Sequence, residues 1–103
     1  MVQNGMRPVH PGEVLHEEYL QPLHLSIQAL AQQLHVPASR IDCIVWERHS
    51  ITVDMALRLS RFFGGDARSW LNLQTAYDLR MAEWDGSLQS AVMAVQPMQR
   101  PPD

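Results

Sequence analysis

The stretch that most limits how this chain can fold is residues 26–46, where two amphipathic helical patterns are separated by only three residues. Ser26 is a good helix N-cap, because its hydroxyl can accept from an orphan backbone N–H of the first turn. Ile27, Leu30, Ala31 and Leu34 follow at i, i+3, i+4 and i+7, one apolar stripe at the helical period. His35-Val36-Pro37 then breaks the pattern. Histidine tolerates a left-handed backbone better than most non-glycine residues, and Pro37 cannot continue the helix before it. A second helix is predicted over about residues 38–46, with Ile41, Ile44 and Val45 facing inward. Two helices joined this tightly cannot lie antiparallel; they cross steeply, as in a helix-turn-helix. Ala31 is small where the helices must approach, and Val36 would plug the angle between them.

The rest of the chain reads as helices around that pair. A first helix opens at Pro11-Gly12, with Glu13 in its positive first turn, runs through Val14, Leu15 and Tyr19, and stops before Pro22. Thr52 can cap a fourth helix whose buried face would be Met55, Ala56, Leu59, Phe62 and Phe63, closed by Gly64-Gly65. Asp66 can cap a fifth, apolar at Trp70, Leu71, Leu73, Tyr77 and Met81, reaching to about residue 83. No strand-like alternation is sustained and no internal repeat is evident. The expectation is an all-α fold: a five-helix helix-turn-helix domain over residues 7–84, then a flexible tail over 85–103. In that tail, residues 88–95 form at most a marginal helix, and the three prolines of 96–103 imply disorder.

At 103 residues the chain fits one domain with a modest core. No apolar run approaches the roughly 20 residues of a membrane-spanning helix. The N-terminal residues lack the apolar segment of a secretory signal. Met6 is an alternative start, with residues 1–5 left by cloning or by upstream translation. Cys43 is the only cysteine, which excludes an intrachain disulfide and makes a reducing cytoplasm the default.

A net charge of −3 counts mildly against nucleic acid, and its distribution softens that objection by a small margin. All eight basic residues are arginine, and residues 36–61 carry a local balance of +1 against −4 for the remainder. The basic groups thus gather around the proposed reading helix. The N-terminal end of such a helix enters the major groove, which brings forward Ala38, Ser39, Arg40 and Cys43. Arg40 is the leading candidate for base readout, since its fork can donate twice to guanine O6 and N7. Ser39 suits a base edge or a phosphate, and Cys43 a small apolar contact such as a thymine methyl. Arg48, His49, Ser50 and the start of the fourth helix at Thr52 suit backbone phosphates, which position without specifying. Asp42 would repel phosphate and is expected to pair with a neighbouring arginine. The plain alternatives are a solvated Arg40 and a packed or idle Cys43 thiol.

Catalysis finds little support. His10, His16, His24, His35 and His49 are scattered, and His16-Glu17-Glu18-Tyr19-Leu20 lacks the second histidine of a zinc-protease helix. Cys43 has no CxxC partner, and no glycine-rich phosphate loop occurs. Neither a metal nor a cofactor is expected.

Several segments together resemble the HigA/VapI antitoxin family, within the phage-repressor-like (XRE) helix-turn-helix group. They are Pro11-Gly12-Glu13-Val14-Leu15, Leu30-Ala31, Ile51-Thr52-Val53-Asp54-Met55-Ala56-Leu57-Arg58-Leu59, Trp70-Leu71-Asn72-Leu73-Gln74 and Tyr77-Asp78-Leu79. The match spans about residues 7–83, and the Trp-Leu-Asn-Leu-Gln run is its most specific part. The resemblance implies a phage-repressor-like five-helix homodimer that binds double-stranded operator DNA, represses its own operon and neutralises a RelE/HigB-like mRNA-interferase toxin. The chain departs from the pattern after the reading helix, where relatives commonly have Asn-Gly and this chain has Trp46-Glu47. The helix then either runs on or ends in a strained turn, and Trp46 is expected to anchor packing or, if exposed, to meet a partner. Relatives often carry Arg at the position of Cys43, Ser or Thr at that of Arg40 or Asp42, and a Ser or Thr cap at Pro37. The operator should therefore differ. Trp70, Asn72, Gln74, Tyr77 and Asp78 are candidates for the dimer interface, with Trp70, Leu73 and Tyr77 also able simply to cover the core. Two other readings stay open: a stand-alone transcriptional regulator, and a protein-interaction module that has lost DNA binding.

Overall fold

Each helix start in this protein has a side-chain acceptor in place, except the one that opens on proline 37. In the computed structural model, which describes residues 8–99, His10 Nδ1 accepts from Gly12 N at 2.9 Å and opens α1 at Pro11–Val14. The helix continues without a break as a π-helical segment, Leu15–Leu20. Its wider winding brings residues five apart onto one face, and Leu15 and Leu20 are both buried. Ser26 caps α2 (Ile27–Leu34), accepting from Ala29 N at 3.0 Å. Thr52 caps α4 (Val53–Phe63), Asp66 caps α5 (Ala67–Glu83) and Asp85 caps α6 (Gly86–Met93). Among the described residues, α3 (Ala38–Val45), entered from Pro37, is the separate helix that starts without a side-chain cap. The described residues contain no strand.

α2 packs chiefly on α3, α4 on α5, and the start of α1 against both α3 and α5. Leu15, Leu30, Leu34, Ile41, Ile44, Met55, Leu59 and Trp70 form the centre of the core. Tyr19 closes one side, its ring 4.6 Å from that of Phe63 and 5.4 Å from that of Trp70. Phe62 does not join them as the fourth-helix stripe predicts; it is 41% exposed and lies edge-on to Phe63. Met81 is likewise exposed.

Six helices are described rather than five. The segment expected to be a flexible tail holds an ordered α6, because Asp85 accepts from Leu88 N at 3.1 Å and Gln89 Nε2 donates to Ala82 O at 2.9 Å. These bonds cap α6 and tie it to the end of α5. None of its residues is buried, and the described extents of 57 × 30 × 24 Å place most of the length along one axis. Residues 96–99 follow without regular structure. Residues 1–5, with the alternative start at Met6, and the last four residues of the expected disordered segment lie outside the described residues.

Candidate nucleic-acid interface

The bend between α2 and α3 is built from backbone bonds. His35 has φ +59°, the left-handed conformation expected of it. His35 N donates to Gln32 O and Val36 N to Ala31 O at 3.1 Å, the paired bonds of a Schellman closure. Leu34 and His35 also offer their carbonyls to Arg58 of α4, whose Nη1 donates at 2.6 and 3.3 Å. Arg58 therefore caps the end of α2 from another helix, a cation at the negative end of a dipole.

α3 leaves this bend with Ile41, Ile44 and Val45 buried and its other face outward. Ser39 and Arg40 are exposed, while Ala38 leans onto the core and Cys43 is half-buried. Arg40 is not a free cation: its Nη2 donates to Asp54 Oδ2 at 3.1 Å. Asp54 in turn receives Arg58 Nε on both oxygens, each at 3.1 Å. The Arg58 and Arg40 guanidiniums hold the Asp54 carboxyl below its ordinary pKa. Asp54 lies in the first turn of α4, so that turn and the outer face of α3 share one surface.

Asp42 does not pair with an arginine. Its Oδ1 accepts from the indole Nε1 of Trp46 at 3.0 Å, one turn along the same helix. That bond holds Trp46 on the surface, 65% exposed, so it does not anchor the core. α3 ends directly after it. Glu47 has φ +62°, with Glu47 N bonded to Ile44 O and Arg48 N to Cys43 O at 2.8 Å. This is the strained turn, with glutamate where glycine would sit without steric cost.

The loop that follows, with Arg48, His49 and Ser50 exposed, is pinned from behind. Ile51 is buried, and its N–H donates to Gln74 Oε1 at 2.8 Å. Gln74 Nε2 donates to Asp78 Oδ1 at 3.0 Å, and the Tyr77 ring packs edge-on to His10 at 4.7 Å. Trp70 and Gln74, 5% and 6% exposed, are thus engaged inside the chain. Tyr77 is half-buried and Asp78 is engaged by Gln74, which leaves Asn72 as the freely exposed member of that set. The signal was available: Gln74 stands four residues after Trp70 and shares its face. His10 was legible as the residue before Pro11, a cap position.

Thr52 Oγ1 accepts from Met55 N at 3.2 Å, so the exposed residue is a cap whose hydroxyl hydrogen is not used by that bond. Among the described residues no group of side chains suits a metal ion. No helix there is long and apolar enough to cross a membrane.

A bend of three residues, a following helix with Ser39 and Arg40 exposed in its first turn, and the capped start of a further helix beside it define a helix-turn-helix protein. The chain belongs to the HigA/VapI antitoxin family within that class. It is 64% identical over 83 residues to virulence-associated protein I of Dichelobacter nodosus, covering 81% of this chain and 77% of that protein. No family sequence profile matches the chain. Among solved structures, the antitoxin GraA in complex with its operator superimposes with a TM-score of 0.83 at 42% identity, over 97% of this chain and 100% of that one. The Pseudomonas aeruginosa antitoxin HigA with its higBA promoter gives 0.82 at 39%, over 90% and 100%.

Proposed function

We propose that this protein is a HigA-like antitoxin that represses transcription by binding operator DNA as a homodimer and neutralises a RelE/HigB-like mRNA-interferase toxin. The observation that carries the DNA half is the first turn of α3, with Ser39 and Arg40 exposed and the backbone behind them fixed by Arg58. Arg40 reads a guanine edge and Ser39 a base edge or phosphate. Ala38 and Cys43 make shallow apolar contacts. Arg48, His49, Ser50 and Thr52 meet phosphates and set the register. Relatives solved with operator and promoter DNA support this reading.

The dimer surface lies further along the chain than residues 70–78. Leu79, Trp84, Leu88 and Val92 are all more than two-fifths exposed and carry the end of α5 into α6. An apolar run of this length on a monomer calls for a cover. A two-fold copy of itself is the commonest one.

Fluorescence anisotropy on the DNA upstream of the protein's own gene tests the first half, at low and at high salt. Binding that weakens steeply with salt is expected, because phosphate contacts release counterions. Absence of binding at both salts would remove the repressor role. Co-expression with the product of the adjacent gene tests the second half: a stable complex is expected, and its absence would leave a stand-alone regulator.

A further inference from the structure

The contact that engages Arg40 crosses between elements. The carbonyls of Leu34 and His35, at the end of α2, hold Arg58 Nη1. Arg58 Nε holds both oxygens of Asp54, and Asp54 Oδ2 holds Arg40 Nη2. The bend of the helix-turn-helix is therefore linked to the exposed Arg40 of α3 through two intervening residues. Arginine has five N–H donors in one plane, and this contact uses Nη2 alone. A single bond at that corner limits rotation of the guanidinium and uses one Nη2 hydrogen, leaving the other Nη2 hydrogen to form a two-donor edge with Nε or with Nη1, whichever edge faces away from Asp54.

Resting on the reading of Arg40 as a base contact, we propose that Asp54 is the positioning residue that sets base preference. Braced by Arg58, it fixes the plane of the Arg40 guanidinium so that its remaining donors meet one guanine. An unbraced arginine must lose rotamer freedom on binding and can settle on a phosphate instead. A braced one has lost that freedom already, so more of its interaction appears as discrimination. The carboxylate does not make the surface locally acidic, because two guanidiniums flank it and the three groups together carry a single positive charge.

The test compares wild type, Arg40→Ala, Asp54→Ala, Asp54→Asn and the Arg40→Ala/Asp54→Ala double variant. Each binds the protein's own upstream DNA and a set of single-base-pair substitutions of it, and a melting curve establishes that each is folded. Arg40→Ala should flatten the preference at one guanine. Asp54→Ala should flatten it at the same base pair with about a tenfold loss on the native fragment, and without loss on scrambled DNA. The double variant should be no weaker than Arg40→Ala alone, as expected of coupled groups. Asp54→Asn, which keeps an acceptor but not the charge, should retain part of the preference. Full preference in Asp54→Ala, beside a flattened Arg40→Ala, would overturn the positioning role and leave the base contact standing. Tighter operator binding by Asp54→Ala would make the carboxylate a brake and overturn it too. Unchanged binding by Arg40→Ala would overturn the base contact itself, and the positioning role with it.

Discussion

At the scale of single residues, three helix ends close with a left-handed residue that is not glycine. His24, His35 and Glu47 have φ of 52°, 59° and 62°. Each is followed by an N–H reaching five residues back: Leu25 to Leu20, Val36 to Ala31 and Arg48 to Cys43. For an L-residue this conformation costs about 1–2 kcal/mol, and least for Asn, Asp and His. Glu47 carries the largest share of that strain. Glu47→Gly is expected to stabilise the fold by about 1 kcal/mol, raising the melting temperature by roughly 4–8 °C in calorimetry; a lower melting temperature would show that the side chain contributes more than the turn costs. His10 supplies a second prediction. Burial holds its pKa below the ordinary value, outweighing the carboxylates of Glu47 and Asp78, and Nδ1 must stay unprotonated to accept from Gly12 N. The unfolded chain therefore binds the proton more readily than the folded one. Stability is complete above the unfolded pKa of about 6.5 and falls as the pH drops below it. His10→Asn keeps a cap acceptor that does not titrate, so its melting temperature should lose that part of the acid dependence between pH 7 and 5. An unaltered acid slope would assign the effect to other groups.

Among elements, the start of α1 sets how α3 sits. A Cβ on Gly12 would lie 1.8 Å from the backbone oxygen of Ile44, which is itself engaged by Glu47 N. Backbone on both sides leaves nothing that can yield. Gly12→Ala should therefore destabilise by about 1–3 kcal/mol or more, measured by denaturant midpoint; a change within error would mean that α1 shifts freely. Part of this arrangement is legible in the sequence and part is not. The helices, the bend and the caps at Ser26, Thr52 and Asp66 were legible because each is local: a period of 3.6, a proline, a hydroxyl or carboxylate before an apolar run. The brace from α2 through Arg58 and Asp54 to Arg40 was not. Its members stand 14 and 24 residues apart in pairs and meet only once α4 is docked. Trp46 misled for the opposite reason: its size suggests burial, yet a local bond to Asp42 keeps it outside. α6 was underrated because a short apolar helix has little stability of its own, and its ties to Asp85 and Ala82 are contacts that composition does not show.

For the molecule as a whole, the helical pair is held by a core on one side and the end of α5 and α6 extends from it with its apolar residues uncovered. If that run closes a two-fold dimer, Leu88→Asp should yield a folded monomer in sedimentation equilibrium; a retained dimer would move the interface elsewhere. On the proposed reading, such a dimer would set two copies of α3 about 34 Å apart, to enter successive major grooves on one side of a duplex. The most direct test of the account is methylation interference at guanine N7 on the DNA upstream of the protein's gene. Two interfering patches one helical turn apart are expected, with the guanine at the Arg40 position insensitive in Arg40→Ala. Patches that keep every guanine in that variant, or a bound complex with no major-groove interference, would contradict it.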